Sequence, residues 1–318
     1  MHGAATRPFG SCVRWLAALV VAVASFAGKA ASADLPALAL DNPAPGIYVH
    51  YGELADVTRD NAGDVANIGF IVGSRCVAVV DTGGSYAVGR ALRAAIRSIT
   101  SLPVCFVINT HMHPDHVFGN AAFASDHPQF IGHQRLAEAL RRRGANYVAA
   151  LQRELGDLAD RSEIVLPTRT VASIEMIDLG GRVIELRAWR TAHTDNDVTV
   201  LDKSTGTMFI GDLAFVGHLP VVDGNLRGFI AVTEELSAMR IAHPIPGHGH
   251  AGAWPEALVP QARYLGGLAA DVRAAIKAKR TLSDAVAEVG VTGGDWQLVD
   301  AFHKRNVTAA YAELEWEE

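Results

Sequence analysis

Thr110-His111-Met112-His113-Pro114-Asp115-His116 sets three imidazoles and a carboxylate within one short stretch. It follows directly on the apolar run Val104-Cys105-Phe106-Val107-Ile108-Asn109, which reads as a buried strand that begins after Pro103 and ends in a polar turn. Four ligand-type side chains therefore stand on the loop at the carboxyl end of a strand, where ligands collect in layered α/β folds. Imidazole nitrogens and carboxylate oxygens both suit a zinc-like cation. A polar surface loop rich in His would carry the same letters. The distinction rests on whether the rest of the chain supplies partners.

Partners stand at His193, Asp212 and His248. His193 lies in Thr191-Ala192-His193-Thr194-Asp195-Asn196-Asp197, just before the apolar segment Val198-Thr199-Val200-Leu201. Asp212 closes the run Met208-Phe209-Ile210-Gly211, and His248 lies in the Gly-rich turn Ile245-Pro246-Gly247-His248-Gly249-His250. Glycines there keep bulk away from a ligand. Taken singly, each of these residues reads as readily as a core histidine or a turn cap. Together with the His-rich loop they complete two metal sites.

On these residues the chain resembles the metallo-β-lactamase superfamily of hydrolases, which includes glyoxalase II-like thioesterases and lactonases. The family order is H-x-H-x-D-H, a distant His, an Asp or Cys, and a final His. His111, His113, Asp115, His116, His193, Asp212 and His248 fill every place. The resemblance covers most of the chain after residue 46. It implies an α/β fold, a four-layer αββα sandwich with C-terminal helices, and metals at one edge of its two sheets. It also implies two zinc ions: His111, His113 and His193 on the first, Asp115, His116 and His248 on the second, and Asp212 bridging. Asp rather than Cys at 212 is similar to the glyoxalase II type. The implied reaction is hydrolysis of an ester, thioester, lactone or amide-type bond. Water on zinc has a pKa of about 7, so a metal-bound hydroxide is the expected nucleophile. Asp115 is the expected catalytic residue, orienting that nucleophile or carrying a proton to the leaving group.

Other residues carry weaker signals. Asp81 ends Cys76-Val77-Ala78-Val79-Val80-Asp81; it reads as a turn cap or, by the resemblance, as an acceptor supporting the metal loop. Gly211-Asp212 echoes Val80-Asp81, as in a fold of two similar halves. His218, in Phe215-Val216-Gly217-His218-Leu219-Pro220, reads either as a substrate contact or as loop packing. His250 competes with His248. His50, His127, His133, His243 and His303 lack metal spacing and read as structural or surface residues.

The first 33 residues hold Arg7, Arg14 and Lys29, no acid, and an apolar core from Trp15 to Phe26. That core is short of the roughly 20 residues that span a bilayer, and Ala31-Ser32-Ala33 offers small residues for cleavage before Asp34. Residues 1–33 are thus expected to be a signal peptide and 34–318 a single hydrolase domain, periplasmic or secreted. An uncleaved anchor is the alternative. The formal charge of −6 falls to −9 on cleavage, which argues against nucleic acid or anionic membrane as partners and leaves a small-molecule substrate. Cys76 and Cys105 lie near the starts of two apolar strands and either pair or remain separate buried thiols.

Strands are expected over Gly46 to Gly52 and Asn67 to Gly73, and a helix over Ala87 to Ile99. His133 to Glu154 suggests a helix, a break near Arg141-Arg142-Arg143-Gly144, and a second helix. The arginines read as a solvated face or, less directly, as a preference for anions. From Pro255 the pattern is helical over Glu256 to Arg280, Leu282 to Val289 and Trp296 to Trp316. Gly217-His218-Leu219-Pro220-Val221-Val222-Asp223-Gly224 and the ending Asn306 to Glu315 look like periplasmic zinc metallohydrolases linked to quinoprotein (pyrroloquinoline quinone-dependent) oxidation. Two other classes stay open. One is a mononuclear iron persulfide dioxygenase, which keeps these ligands; the other is a non-enzymatic metal-binding protein. Iron enzymes of the flavodiiron type carry an acid in place of one early His, and the complete His111/His113/His116 set argues against them.

Overall fold

The computed structural model describes residues 1–5, 35 and 37–317. The expected leader lies outside them apart from its first five residues. Packing divides the chain between Ala31 and Ser32, and the fold described below is that of the unit beginning at Ser32.

Seven strands form the first sheet in chain order: β1 (Asp41–Ala44), β2 (Ile47–His50), β3 (Ile68–Val72), β4 (Val77–Val80), β5 (Val104–Ile108), β6 (Gln129–His133) and β7 (Arg169–Val171). The first four run antiparallel, and β4 to β7 are parallel. Helix α1 (Tyr86–Ile99) carries the chain from β4 to β5, the crossover that parallel neighbours require. Ser85 caps α1 by accepting from the Val88 amide, and Val88, Leu92 and Ile96 recur every fourth residue on its buried face. Val77 and Val79 pack in the same cluster as that face. Ala78 and Val80, on the opposite side of the strand, join the cluster between the sheets. After β5 the His-rich stretch holds a single turn, α2 (Pro114–Val117), opened by Pro114. Helix α3 (Leu136–Leu155) packs over it through Leu136, Ala139 and Leu140 on Met112 and Val117.

The second sheet runs β12-β11-β10-β9-β8. Strands β8 (Ile174–Asp178), β9 (Val183–Ala188), β10 (Val198–Asp202) and β11 (Thr207–Phe215) are antiparallel neighbours. Helix α4 (Leu226–Ser237) then returns the chain to β12 (His243–His248), parallel to β11. Ile47, Val49, Ile71 and Ile108 of the first sheet meet Ile184, Leu186, Val200 and Phe209 of the second, all buried. Met208 and Ile210 point the other way. Helices α4, α5 (Val259–Lys277), α6 (Leu282–Glu288) and α7 (Val299–Leu314) share a core with them. The four-layer αββα sandwich with C-terminal helices follows from these three packed interfaces. Among the described residues no helix is long and apolar enough to cross a membrane.

Several sequence expectations change here. α3 runs unbroken through Gly144, which is buried because Ile164 packs on it; an added Cβ would stand 2.8 Å from Ile164 Cγ1. The glycine answers a close approach rather than a helix end. Asp212 does not close its strand. It sits inside β11 just after a register shift at Gly211, whose φ of +60° lies in the left-handed region. The last helix begins at Val299, since Trp296 precedes an αL residue, Leu298. Cys76 and Cys105 are free thiols beside one another, and burial with its neighbour pushes Cys76 up to about 12.

Candidate metal centre

Loops from both sheets converge at one edge of the sandwich. His111, His113, His193 and Asp212 form one group of potential ligands, and Asp115, His116 and His248 form another; within each group the ligand atoms lie within 4.8 Å of one another. These are the seven residues singled out above, in the two sets that the resemblance implied. Asp212 stands between them. Its Oδ2 lies 3.7 Å from His111 Nε2 and 3.4 Å from His193 Nε2, while its Oδ1 lies 3.2 Å from His116 Nε2 and 3.4 Å from His248 Nε2. Asp115 Oδ2 is 3.3 Å from His248 Nε2 and 3.5 Å from His116 Nε2.

The donor geometry fits zinc-class ions. Nε2 of His111, Nδ1 of His113 and Nε2 of His193 lie 3.0–3.3 Å apart. Nitrogens about 2.0–2.1 Å from a tetrahedral zinc are separated by about 3.3 Å. Where the two groups meet, His116 Nε2 and Asp212 Oδ1 are buried and have no hydrogen-bond partner among the described residues. Buried polar atoms rarely remain orphaned, and a cation satisfies both.

Each of the five histidines is aimed through its other ring nitrogen. Asp81 accepts from His116 Nδ1 at 2.8 Å, from the Thr110 amide at 2.8 Å and from Thr110 Oγ1 at 2.7 Å, so it supports the metal loop. Asn109 and Asn120 pair reciprocally behind that loop. Asp197 accepts from the Thr194 amide and hydroxyl, shaping the turn that presents His193; burial raises its carboxyl to about 8. Asn67 donates to the carbonyls of Pro246 and Gly249, and His248 Nδ1 donates to the Val65 carbonyl at 2.8 Å. His250 lies outside both groups, stacked on Tyr51. An added Cβ at Gly247 would land on Asp212 Oδ1, so this glycine makes room for the bridging carboxylate itself.

Burial lowers His193 to about 4 and holds His111 well below the usual range, which leaves their lone pairs free for a cation. Against burial, Asp212 and Asp115 raise His248 to about 9 and His116 well above its usual value. Burial opposes ionisation of Asp115, but His116 and His248 hold its carboxyl far below the ordinary range. This carboxylate-rich half is the better home for positive charge.

A cavity of about 290 Å³ opens over Asp115 and Asp212. Val57, Val65, Phe215, Val221, Leu298 and Phe302 give it apolar walls, and Arg143, Tyr147 and Arg305 add polar ones. His218 borders it but is buried. It donates Nδ1–H to the Leu219 carbonyl at 2.7 Å and packs on Phe215, His248 and Phe302; burial lowers it to about 4. Arg141 and Arg142 are solvated as expected, whereas Arg143 turns inward and pairs with Asp223. Asp223 also accepts from His113 Nε2 at 3.0 Å. Sequence reasoning assigned it no role, although it lies in the 217–224 stretch. The carbonyls of Val65 and Val221 carry no side-chain signal at all.

Comparisons with known proteins agree with this picture. The sequence pattern described as "Metallo-beta-lactamase superfamily" matches residues 62–267. A search of curated proteins finds no match. Among solved structures, a metallo-beta-lactamase from Pontibacter korlensis is similar with TM-score 0.55 and 17% identity, over 67% of this chain and 91% of that one. The stereoselective inverting sec-alkylsulfatase Pisa1 from Pseudomonas sp. is similar with TM-score 0.67 and 15% identity, over 88% of this chain; the match spans about half, 51%, of the sulfatase. At such identities the likeness is one of fold. Because the matched pattern takes in all seven ligand positions and more than half of the chain, this protein belongs to the metallo-beta-lactamase superfamily, most of whose members are metal-dependent hydrolases.

Proposed function

We propose that the protein is an exported dinuclear zinc hydrolase with a glyoxalase II-like metal set, cleaving an ester, thioester, lactone or amide-type bond of a small molecule. The observation that carries this reading is Asp212, which presents one oxygen to each ligand group. Two zinc ions, when bound, supply Lewis-acid activation of water and of the scissile carbonyl. The chain does the rest. His111, His113 and His193 with Asp212 would hold one ion, and Asp115, His116 and His248, also with Asp212, would hold the other. Asp115, ionised and facing the cavity, accepts a proton from the attacking water at its carboxylate and returns it to the leaving group. The apolar walls exclude bulk water and hold the body of the substrate.

The basic start, apolar core and small-residue end of residues 1–33 support export and release from Asp34. The 217–224 stretch and the ending from Asn306 to Glu315 support a place beside periplasmic quinoprotein oxidation. Elemental analysis of natively purified protein tests the metals, with about two zinc ions per chain expected. One iron and no zinc would replace this reading with that of a persulfide dioxygenase. Chromogenic β-lactams, acyl thioesters, lactones and secondary alkyl sulfates form the substrate panel. Turnover of one class, lost on chelation, is expected. Intact mass of periplasmic protein tests for an Asp34 start, and an intact Met1 in the membrane pellet alone would show an anchor.

A further inference from the structure

The loop from Leu219 to Asp223 serves the first ligand group twice. The Val221 carbonyl accepts from His193 Nδ1 at 2.7 Å, and the Asp223 carboxylate accepts from His113 Nε2 at 3.0 Å. The Asp223 amide also donates to the His193 carbonyl at 3.0 Å. What holds this loop in place comes from the far end of the chain. On α7, Asn306 is fully buried; its Oδ1 accepts from the Val222 amide at 2.9 Å and its Nδ2 donates to the Pro220 carbonyl at 2.6 Å.

The Val221 carbonyl and the Val222 N–H belong to one peptide group, which is planar and resists twisting. Asn306 therefore grips one end of the plane whose other end orients His193. Its own donors are also accounted for. The second Nδ2 proton goes to Tyr264 Oη at 2.9 Å. His303 Nε2 lies 2.9 Å from the Val289 carbonyl and donates to it, which leaves Nδ1 to accept from Tyr264 O–H at 3.1 Å. Each group in this buried chain has a partner and a fixed direction, so the amide cannot flip without orphaning one of them.

We infer that Asn306 is a positioning residue for the first metal ion, acting on His193 through the Val221–Val222 peptide. The inference rests on the metal-binding reading above and concerns the C-terminal helix rather than any ligand. Loss of a partner that orients a metal ligand typically costs 10–100-fold in affinity. Asn306→Leu should therefore weaken zinc at the His111/His113/His193 group by about 10–100-fold while sparing the other group. Competition with a chromophoric chelator gives the two zinc affinities, and cadmium NMR shows which site has moved.

Asn306→Ser, smaller and open to water, serves as the second variant if the leucine does not fold. Glu313, on the same helix, accepts from the amides of Leu226 and Arg227 and from the Arg227 side chain at the start of α4, and Glu313→Gln serves as the control. It should keep both affinities. Unchanged zinc affinities in the Asn306 variants would overturn the inference. So would an equal loss at both sites that tracks a lower melting temperature of the metal-free chain. The wild-type stoichiometry tests the two-metal reading separately, because the ratio of variant to wild type at His193 can be read whether one ion or two are bound.

Discussion

A histidine binds a cation through one nitrogen, and the partner of its other nitrogen decides where that lone pair points. His116 leans on Asp81, His113 on Asp223, His193 on Val221 and His248 on Val65. Asp115 has no such brace. It borders the cavity and is partly exposed, at 19% of its side chain. Asp115→Asn keeps the shape but removes the charge that takes up a proton. Turnover should fall by at least about 100-fold with the fold intact, as read from kcat alongside circular dichroism. Near-wild-type hydrolysis at full metal occupancy would remove Asp115 from the mechanism. Gly247→Ala tests the bridge from the other side. Its methyl would displace the Asp212 carboxylate, so the protein should retain fewer than two zinc ions even in excess metal. Full occupancy in that variant would mean that Asp212 has room to move.

Elements show how much was legible in the chain. β2 to β5, α1, β10 and the C-terminal helices follow periodicity and turn residues closely, because each buries a full apolar face. β6 to β9 were not foreseen. They are short or half-polar, as in Gln129–His133 and Ile174–Asp178, and owe their existence to neighbours rather than to local pattern. The seven residues that the structure brings together were legible because metal binding demands particular side chains. The acceptors behind His193 and His248 were not, because any residue has a carbonyl. An unforeseen pair also closes β9 to β10: Arg182 binds Asp202 through two bonds of 2.9 Å, with the Asp202 side chain fully buried. Burial opposes ionisation of Asp202, yet Arg182 with the Thr205 and Ser204 hydroxyls brings it down to about 2. A carboxyl with an unfolded value near 3.9 then contributes about 2–3 kcal/mol, fully present above about pH 5 and lost as pH falls through about 2. Asp202→Asn should cost about 3 kcal/mol at neutral pH and flatten the acid limb of stability measured on metal-free protein. An unchanged acid limb would assign that loss to other carboxylates.

At the scale of the whole molecule, the two sheets are held together by their apolar faces and, at one edge, by ligands drawn from both. Chelation would remove the cation that satisfies His116 Nε2 and Asp212 Oδ1 and leave the ring nitrogens of His111, His113 and His193 facing one another. Removing the bound metal should lower the melting temperature by about 10 °C, recoverable on adding metal back, as read by differential scanning calorimetry. A melting temperature indifferent to chelator would show that the sandwich does not depend on the site.

The distance along the chain between partners has a kinetic meaning. His193 meets His111 across 82 residues, and His248 Nδ1 reaches back 183 residues to Val65. Neither ligand group is complete without residues from both halves of the chain, and closing such long loops comes late in folding. If the chain, exported as proposed above, travels unfolded, it would arrive empty and acquire its metal at the destination. In refolding, the intrinsic fluorescence of the sheets should recover before a zinc-release dye reports capture. Simultaneous signals would mean that the metal helps nucleate the fold rather than sealing it.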